Sequence, residues 1–209
     1  MNKDNVMGQF SGKSGIEEAL KRLNAKMVYS DLKPVELVSC GGASLNLMGL
    51  VSRSTSDVDI ICVAEVRAKG KVHLLAGTTL PARLIELIAE VGRELGLKEE
   101  WLNFGPAPLM EFGLPRGLET RLKRKTYGRC LALQVIGRFD QIHLKLYAAM
   151  DPKTRIETHL GDLMDLEPTE IETRAAVDWL LKRKTSADFR RKLKQVLDRI
   201  GHAKLAQNI

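Results

Sequence analysis

The chain has 209 residues, of which 44% are hydrophobic and 28% charged, a composition typical of globular proteins with a sizeable core. No apolar run approaches the roughly 18 residues of a membrane-spanning helix, and the start, MNKDNVMGQFSGKSG, lacks the apolar stretch of a secretory signal. The three cysteines, Cys40, Cys62 and Cys130, show no C-x-x-C spacing. We therefore expect reduced, buried thiols in a cytoplasmic protein that has no membrane partner.

The charge is concentrated in two places. Lys and Arg number 33 against 26 Asp and Glu, which gives a formal net charge of +7. Residues 174–209 contain ten basic and three acidic residues, and the run RLKRKTYGR at 121–129 contains five basic residues and no acidic one. Clustered positive charge suits a phosphate-bearing partner, although a charge run seen alone is also typical of a solvated helix face.

The first part of the chain predicts a mixture of helices and strands. In chain order these are a helix at 14–23 with Ser14 as N-cap, a strand at 35–40, a short helix at 43–51, strands at 57–65 and 71–75, a helix at 81–96, an irregular Pro- and Gly-rich loop at 101–120 and a strand at 129–137.

The remainder predicts helices alone. They span 140–150 with Asp140 near its cap, 159–166, 168–184 starting at Pro168, and 186–201 starting at Ser186. We therefore predict an α/β fold, in which a small mixed β-sheet with helices at 1–139 precedes a helical C-terminal region at 140–209 that packs on it.

The segment CGGASLNLMGLVSRSTSDVDIICV (40–63) contains the residues with the clearest chemistry. Asp57 and Asp59 open an apolar strand, and residues i and i+2 of a strand point to the same side. Two adjacent carboxylates repel each other unless something neutralises them. A divalent cation does so, and carboxylate oxygens suit Mg²⁺ together with substrate phosphates. A D-x-D pair alone is also a common solvated strand entry.

Residues just before the aspartates are suited to a phosphate. Gly41 and Gly42 would let a phosphate approach the backbone N–H groups. Ser44 could add a hydroxyl donor, and Arg53 could reach phosphate oxygens from the polar turn. A Gly-Gly pair alone is as compatible with an ordinary turn.

The composite of strand, Gly-Gly, short helix, polar turn, D-x-D and apolar strand occupies 24 residues. This composite resembles the nucleotidyltransferase superfamily, which has a polymerase-beta-like fold. The resemblance implies transfer of a nucleoside monophosphate from an NTP, with Mg²⁺ or Mn²⁺ as cofactor.

The segment DQIHLKLYAAMDPKTRIETHLGDLMDL (140–166) resembles the downstream signature of the AbiEii-type (MenT-like) nucleotidyltransferase toxins of toxin–antitoxin systems. The resemblance implies a functional Lys, a following basic residue, and an Asp that opens a D-x-x-D-L helix. The matching positions are Lys145, Arg155 or His159, and Asp162 with Asp165. It further implies that Asp162 activates the acceptor hydroxyl.

Lys145 has two interpretations from the residues themselves. It lies on an otherwise apolar helix face, and lysine is rarely buried unless it is paired. Its ammonium group therefore either reaches solvent or pairs with phosphates. The strand at 129–137 has no acidic residue, where polymerase-like members usually add a third metal-binding carboxylate. The metal site then has two carboxylates, or the chain is a degenerate enzyme.

We expect an RNA acceptor, with the 3′ end of tRNA as first choice and with Arg190, Arg191 and Lys194 on one helix face as the RNA-binding residues. A toxin of this kind would have a cognate antitoxin as partner. Two alternatives remain open. One is a protein-modifying nucleotidyltransferase that acts on a Ser, Thr or Tyr hydroxyl. The other is an inactive module that binds a nucleotide or a partner protein.

Overall fold

The computed structural model describes residues 8–77, 79–152 and 154–209. The chain divides into two compact units, Met1–Gly137 and Arg138–Ile209, and this boundary lies two residues before the predicted one. The described residues contain a six-stranded mixed sheet, and those of the second unit form only helices. The predicted α/β class, with helices in the C-terminal part, is confirmed.

The first unit is built on the sheet. Its strands are β1 (Val35–Cys40), β2 (Val58–Val66), β3 (Val72–Leu75), β4 (Leu102–Asn103), β5 (Lys123–Thr126) and β6 (Leu131–Val135). They lie in the order β3-β2-β1-β6-β5, and β4 pairs with β2. The β1–β6 and β2–β4 pairs are parallel, whereas the β1–β2, β2–β3 and β5–β6 pairs are antiparallel.

Nine helices occur in the described residues. In the first unit they are α1 (Gly12–Tyr29), α2 (Gly41–Leu47), α3 (Ala82–Leu95) and α4 (Leu109–Phe112), with 3₁₀ turns at Ala68–Gly70 and Leu118–Thr120. In the second unit they are α5 (Arg138–Ala148), α6 (Ile156–Leu166), α7 (Glu170–Leu181), α8 (Ala187–Arg199) and α9 (Ala203–Gln207).

The core of the first unit lies between the sheet and the apolar faces of α1, α2 and α3. Trp101 is completely buried there, and its indole N–H donates to the carbonyl of Ile88 at 2.8 Å. Phe10 meets the Trp101 ring edge-on at 5.8 Å between ring centroids. Each large side chain buried in this way stabilises the fold by about 1.5–3 kcal/mol.

Two of the predicted helix ends are confirmed. Ser186 caps α8 by accepting a hydrogen bond from the Phe189 N–H at 3.2 Å. The helix predicted at 81–96 ends at its last predicted residue, Gly96, which follows α3 in the left-handed conformation. Helix α7 begins after Thr169, one residue beyond Pro168. Thr169 and Glu172 there form a reciprocal capping box.

The predicted N-cap of the first helix is wrong. Ser14 lies inside α1, because the Phe10 N–H donates to the Thr55 carbonyl at 2.7 Å and the chain turns into the helix at Gly12, which has a positive φ of 66°. Asp140 lies near the start of its helix as predicted, in the first turn of α5, which begins two residues earlier than predicted, at Arg138.

The sequence also misses short elements. The predicted loop at 101–120 contains β4 and α4, and the basic run at 121–129 contains the edge strand β5. Elements of two to four residues are too short for a hydrophobic period to appear, and their pairing depends on the neighbouring strand. Helix α9 follows the last predicted helix.

The cysteine prediction holds for the thiols themselves, since Cys40, Cys62 and Cys130 are all free and buried. Burial raises the pKa of the Cys62 thiol to about 11, so this thiol stays protonated at neutral pH. In the part of the chain that the structure covers, every helix is too short or too polar to cross a membrane.

Glu36 on β1 joins three strands. Arg124 on β5 donates to its Oε1 from Nε at 2.8 Å and from Nη2 at 2.6 Å, and Gln134 on β6 donates to its Oε2 at 2.7 Å. Burial alone would raise the pKa of the Glu36 carboxyl, but the hydrogen bonds from Arg124 and Gln134 outweigh it, so the pKa lies below the ordinary 4.5. The carboxylate therefore stabilises the fold only while it is ionised.

We expect Glu36→Gln to lower the free energy of unfolding at pH 7 by about 1 kcal/mol, because it removes charge-assisted hydrogen bonds at a partly exposed position. The wild-type contribution is complete above the ordinary pKa of 4.5 and disappears as the pH falls through the lowered value. The two proteins should therefore converge in stability as the pH falls through that lowered pKa. Denaturant unfolding at pH 7, 5 and 3 measures this. Glu18→Gln, which changes an exposed pair with Arg22, is the control, and a stability difference independent of pH would contradict the assignment.

Candidate functional site

The two aspartates lie where β2 begins. Asp59 is the second residue of β2, and Asp57 immediately precedes the strand. Both side chains are half-buried, and the Ser56 hydroxyl donates to Asp57 Oδ2 at 3.0 Å. The pairing of β1 with β2 shifts register between Val38 and Ser39, and after this shift Asp59 lies opposite Cys40.

Gly41 directly follows Cys40 and packs against the Asp59 carboxylate. Its φ is +74°, which side chains rarely allow, and a Cβ at this position would come within 2.5 Å of Asp59 Oδ2. Residue 41 is therefore a glycine for two independent reasons, its backbone conformation and the space that Asp59 occupies.

Gly42 has the corresponding relation to Arg53. A Cβ on Gly42 would lie 2.7 Å from a terminal guanidinium nitrogen of Arg53 and 3.1 Å from Thr55 Oγ1. Asn46 fixes this arrangement, because its amide donates at 3.0 Å both to the Gly42 carbonyl and to the Arg53 carbonyl. The carboxylate of Asp59 and the guanidinium of Arg53 thus lie against two consecutive glycines, Gly41 and Gly42.

Ser44 is not placed as the sequence predicts. Its side chain is completely buried, and its hydroxyl donates to Ser39 Oγ at 2.9 Å. The reason is geometric, since Ser44 lies on the face of α2 that turns toward β1. Its hydroxyl therefore connects α2 to β1 within the fold instead of facing a phosphate.

Asn103 is a neighbour of Asp59 that sequence reasoning missed. Strand β4 pairs in parallel with β2 so that Asn103 lies beside Asp59, and Asn103 Oδ1 accepts the Gly105 N–H at 2.8 Å. The sequence predicts an irregular loop for this segment, and nothing in its local pattern signals the pairing. Asn46 was detectable as a polar residue on an apolar helix, four residues after Gly42.

The donor atoms at this end of β2 are oxygens. Asp57 and Asp59 supply carboxylates, the ligands that Mg²⁺ prefers when it also keeps water and phosphate. Within residues 8–77, 79–152 and 154–209, no group of three or more His, Cys, Asp or Glu side chains is arranged to hold a metal ion. The chemistry of the donor set fits a two-carboxylate magnesium or manganese site.

A second group of predicted residues lies together in the helical unit. Lys145 Nζ on α5 forms an ion pair with Asp162 Oδ2 on α6 at 2.6 Å, and its side chain is 5% exposed while that of Asp162 is fully buried. His159, one turn before Asp162, places its Nδ1 3.5 Å from the Lys145 ammonium. Asp165, the other carboxylate of the motif, is exposed.

This ion pair answers the question that the sequence left open for Lys145. Its ammonium does not reach solvent but pairs with a carboxylate of the same unit. Two buried charges give up much of their hydration, and their attraction offsets that cost only while both are present. Lys145 and Asp162 are thus a coupled pair, and a ligand that binds either charge must compete with the other.

The basic helix α8 is amphipathic. Leu193, Val196 and Leu197 are buried, whereas Arg191 is exposed and Arg190 and Lys194 are half-buried. Acidic residues compensate part of the positive charge. Asp188 pairs with Arg191 and Lys192, and Glu157 on α6 pairs with Arg199.

The structure therefore brings together several predicted residues, in two separate groups. Asp59 adjoins Gly41, and Arg53 adjoins Gly42, in the first unit. Lys145, Asp162 and His159 form the group of the second unit.

Comparison with protein-family models, with curated proteins and with solved structures finds no match for this chain.

We expect Gly41→Ala to weaken Mn²⁺ binding at least tenfold, because the added Cβ overlaps the Asp59 carboxylate and displaces it. Gly49→Ala is the matched control. Gly49 also has a positive φ, of 68°, but a Cβ there meets nothing within 4 Å. Both variants should be destabilised by about 1–2 kcal/mol through backbone strain, and only Gly41→Ala should bind the metal more weakly. Isothermal titration with Mn²⁺ measures this, and equal affinities in the two variants would exclude Asp59 as a ligand.

Proposed function

We propose that the protein is a Mg²⁺-dependent nucleotidyltransferase that moves a nucleoside monophosphate from an NTP to a hydroxyl group of an RNA acceptor and releases pyrophosphate. The observation that carries the proposal is that each glycine of the Gly-Gly turn leaves space for one charged side chain. Gly41 leaves room for the Asp59 carboxylate, and Gly42 leaves room for the Arg53 guanidinium. A metal-binding carboxylate and a phosphate-binding cation held side by side suit a metal–triphosphate substrate.

Each residue of this turn has a role in the proposal. Asp57 and Asp59 hold Mg²⁺ or Mn²⁺. Gly41 and Gly42 leave room for Asp59 and Arg53 beside the bound phosphates, and Arg53 neutralises the phosphate charge. The bound metal ion supplies electrostatic stabilisation of the charge that develops on the transferred phosphoryl group.

We also propose roles for Lys145 and Asp162, as the resemblance of residues 140–166 implies. The acceptor hydroxyl oxygen forms a bond to the α-phosphorus of the NTP, the bond from that phosphorus to the bridging oxygen breaks, and pyrophosphate leaves. Asp162 accepts the hydroxyl proton, and Lys145 neutralises phosphate charge. An anionic substrate would compete with Asp162 for the Lys145 ammonium, and this competition would free the carboxylate to accept the hydroxyl proton.

The acceptor in the proposal is RNA, with the 3′ end of tRNA as first choice. Arg190, Arg191 and Lys194 on α8 bind its phosphates. The resemblance of residues 140–166 to the toxin-type nucleotidyltransferases leads us to propose a toxin whose activity a cognate antitoxin restrains.

A protein acceptor is the second candidate, and one observation favours it. Asp188 and Glu157 already compensate Arg191, Lys192 and Arg199, which reduces the attraction of this surface for RNA. The same transfer to a Ser, Thr or Tyr hydroxyl of a protein uses the same residues of the site.

The central experiment incubates the protein with each α-labelled NTP in the presence of tRNA or of cell lysate. We expect label on RNA, and Asp59→Asn and Asp57→Asn should each reduce the turnover by about 10²-fold or more, because removal of the metal stabilisation costs several kcal/mol. Asp178→Asn, an exposed position on α7, is the control.

The outcomes separate the candidates. Label on protein alone favours the second candidate, and no label on either acceptor indicates an inactive binding module. Near-normal transfer by Asp59→Asn, with the wild type active, excludes the metal-ligand assignment.

A double substitution separates the chemical role of Lys145 from its structural role. Lys145→Ala should abolish transfer and also destabilise the fold by about 3–5 kcal/mol, because it removes the cation that compensates the buried charge of Asp162. Lys145→Met combined with Asp162→Leu replaces the pair with apolar side chains and should restore the melting temperature without restoring transfer. Activity recovered together with stability would show that the pair is structural only. Melting curves and single-turnover transfer measure the two effects.

Reversal of charge on α8 tests the RNA surface. Changing Arg190, Arg191 and Lys194 to Glu should weaken RNA binding across sequences. It should also flatten the log–log salt dependence by about 0.7–0.9 for each phosphate that the variant no longer neutralises, while NTP affinity stays the same. The control reverses three exposed lysines of the other unit, Lys13, Lys21 and Lys33. Unchanged RNA binding by the α8 variant would assign α8 as a solvated face and direct attention to β5.

A further inference from the structure

Gln141 on α5 is a buried polar residue whose carboxamide makes no hydrogen bond. The side chain is 0% exposed. Neither its Nε2 nor its Oε1 has a hydrogen-bond partner among the described residues, a condition otherwise found there only for the Tyr127 hydroxyl. A carboxamide that leaves water without gaining new partners destabilises the folded state. A leucine of similar volume would not carry that cost, so the amide calls for another explanation.

The position of Gln141 suggests that explanation. Gln141 precedes Lys145 by four residues on the same helix, and residues i and i+4 share one helical face. Lys145 in turn pairs with Asp162 and lies 3.5 Å from His159 Nδ1. The unpartnered amide thus lies one helical turn from the charged group to which the proposed function assigns the transfer chemistry.

The chemistry of the carboxamide limits what can bind it. Nε2 donates and Oε1 accepts, and both atoms are unpartnered. A phosphate offers only acceptors and would leave Oε1 unsatisfied. A nucleoside offers adjacent donors and acceptors on its ribose hydroxyls and on its base edge, so it can satisfy both atoms at once.

We propose that Gln141 is a substrate-binding residue whose carboxamide hydrogen-bonds a ribose or base edge of the nucleotide. This rests on the proposed function. The nucleoside is that of the NTP or that of the terminal acceptor nucleotide, which share this chemistry. Because Gln141, Lys145 and Asp162 are all enclosed in this conformation, nucleotide binding includes an opening of the residues that cover them.

The test compares two buried glutamines that differ in their partners. Gln141→Leu removes an unpartnered amide. Gln134→Leu removes an amide that is 2% exposed and donates to Glu36 at 2.7 Å. Binding of ATP, GTP, CTP and UTP with Mg²⁺ is measured by titration, transfer to tRNA by label, and stability by melting temperature.

We expect Gln141→Leu to melt at or above the wild-type temperature while NTP affinity, or the apparent affinity for tRNA, falls at least tenfold. If the NTP affinity falls, Gln141 binds the nucleoside of the NTP. If the apparent affinity for tRNA falls, Gln141 binds the terminal acceptor nucleoside. Gln134→Leu should show the opposite pattern, with a lower melting temperature and unchanged affinities.

Three results would contradict the proposal. Wild-type affinities in Gln141→Leu would overturn it while leaving the proposed function intact. A large drop in melting temperature in both Gln141→Leu and Gln141→Met would overturn it by showing that the amide has a structural partner. A wild-type protein that neither binds nor transfers any nucleotide would refute the proposed function itself, and this inference with it.

Discussion

The carboxylate of Asp59 and the backbone at Gly41 occupy adjoining space, and a side chain at residue 41 would overlap the carboxylate. This steric constraint depends on the irregular register between β1 and β2, which sets Cys40 opposite Asp59 and so delivers the next residue to that position. Helix α2 can begin there because glycine tolerates the positive φ. The pairing of two strands, the start of a helix and the placement of a carboxylate are therefore parts of one local arrangement.

Arg53 lies beside this arrangement, and its position also depends on a glycine. The absence of a side chain at Gly42 leaves room for the guanidinium, and the Asn46 amide holds the backbone carbonyls on both sides of the turn. The carboxylate of Asp59 is thus held on a strand, whereas Arg53 lies in the connection between α2 and β2, where Asn46 fixes its backbone carbonyl. In the proposed function, groups held in place in this way would stabilise developing charge without having to reorganise.

In the helical unit, the charged side chains are buried. Lys145 and Asp162 lie buried as an ion pair, and Gln141 leaves its amide without a partner one turn away. Neither feature is the most stable solution for a helical core, since apolar residues of the same size avoid both desolvation costs. Polar groups retained at such a cost are concentrated at sites that bind something. The two units thus differ in how they hold charge, at a half-exposed strand end in one and in an enclosed helical core in the other.

The sequence by itself determined the α/β class, the main strands and helices, and the two groups of residues that are candidates for a functional site. It could do so because hydrophobic periods, glycines and helix caps are local signals. Ser186 and Gly96 show this, since each acts through its immediate neighbours. Only the tertiary structure decided that Ser44 bonds to Ser39, that Asn103 lies beside Asp59, and that Lys145 pairs with Asp162. Each of these depends on residues distant in sequence or on which face of a helix meets its neighbour, and a local pattern carries no information on either.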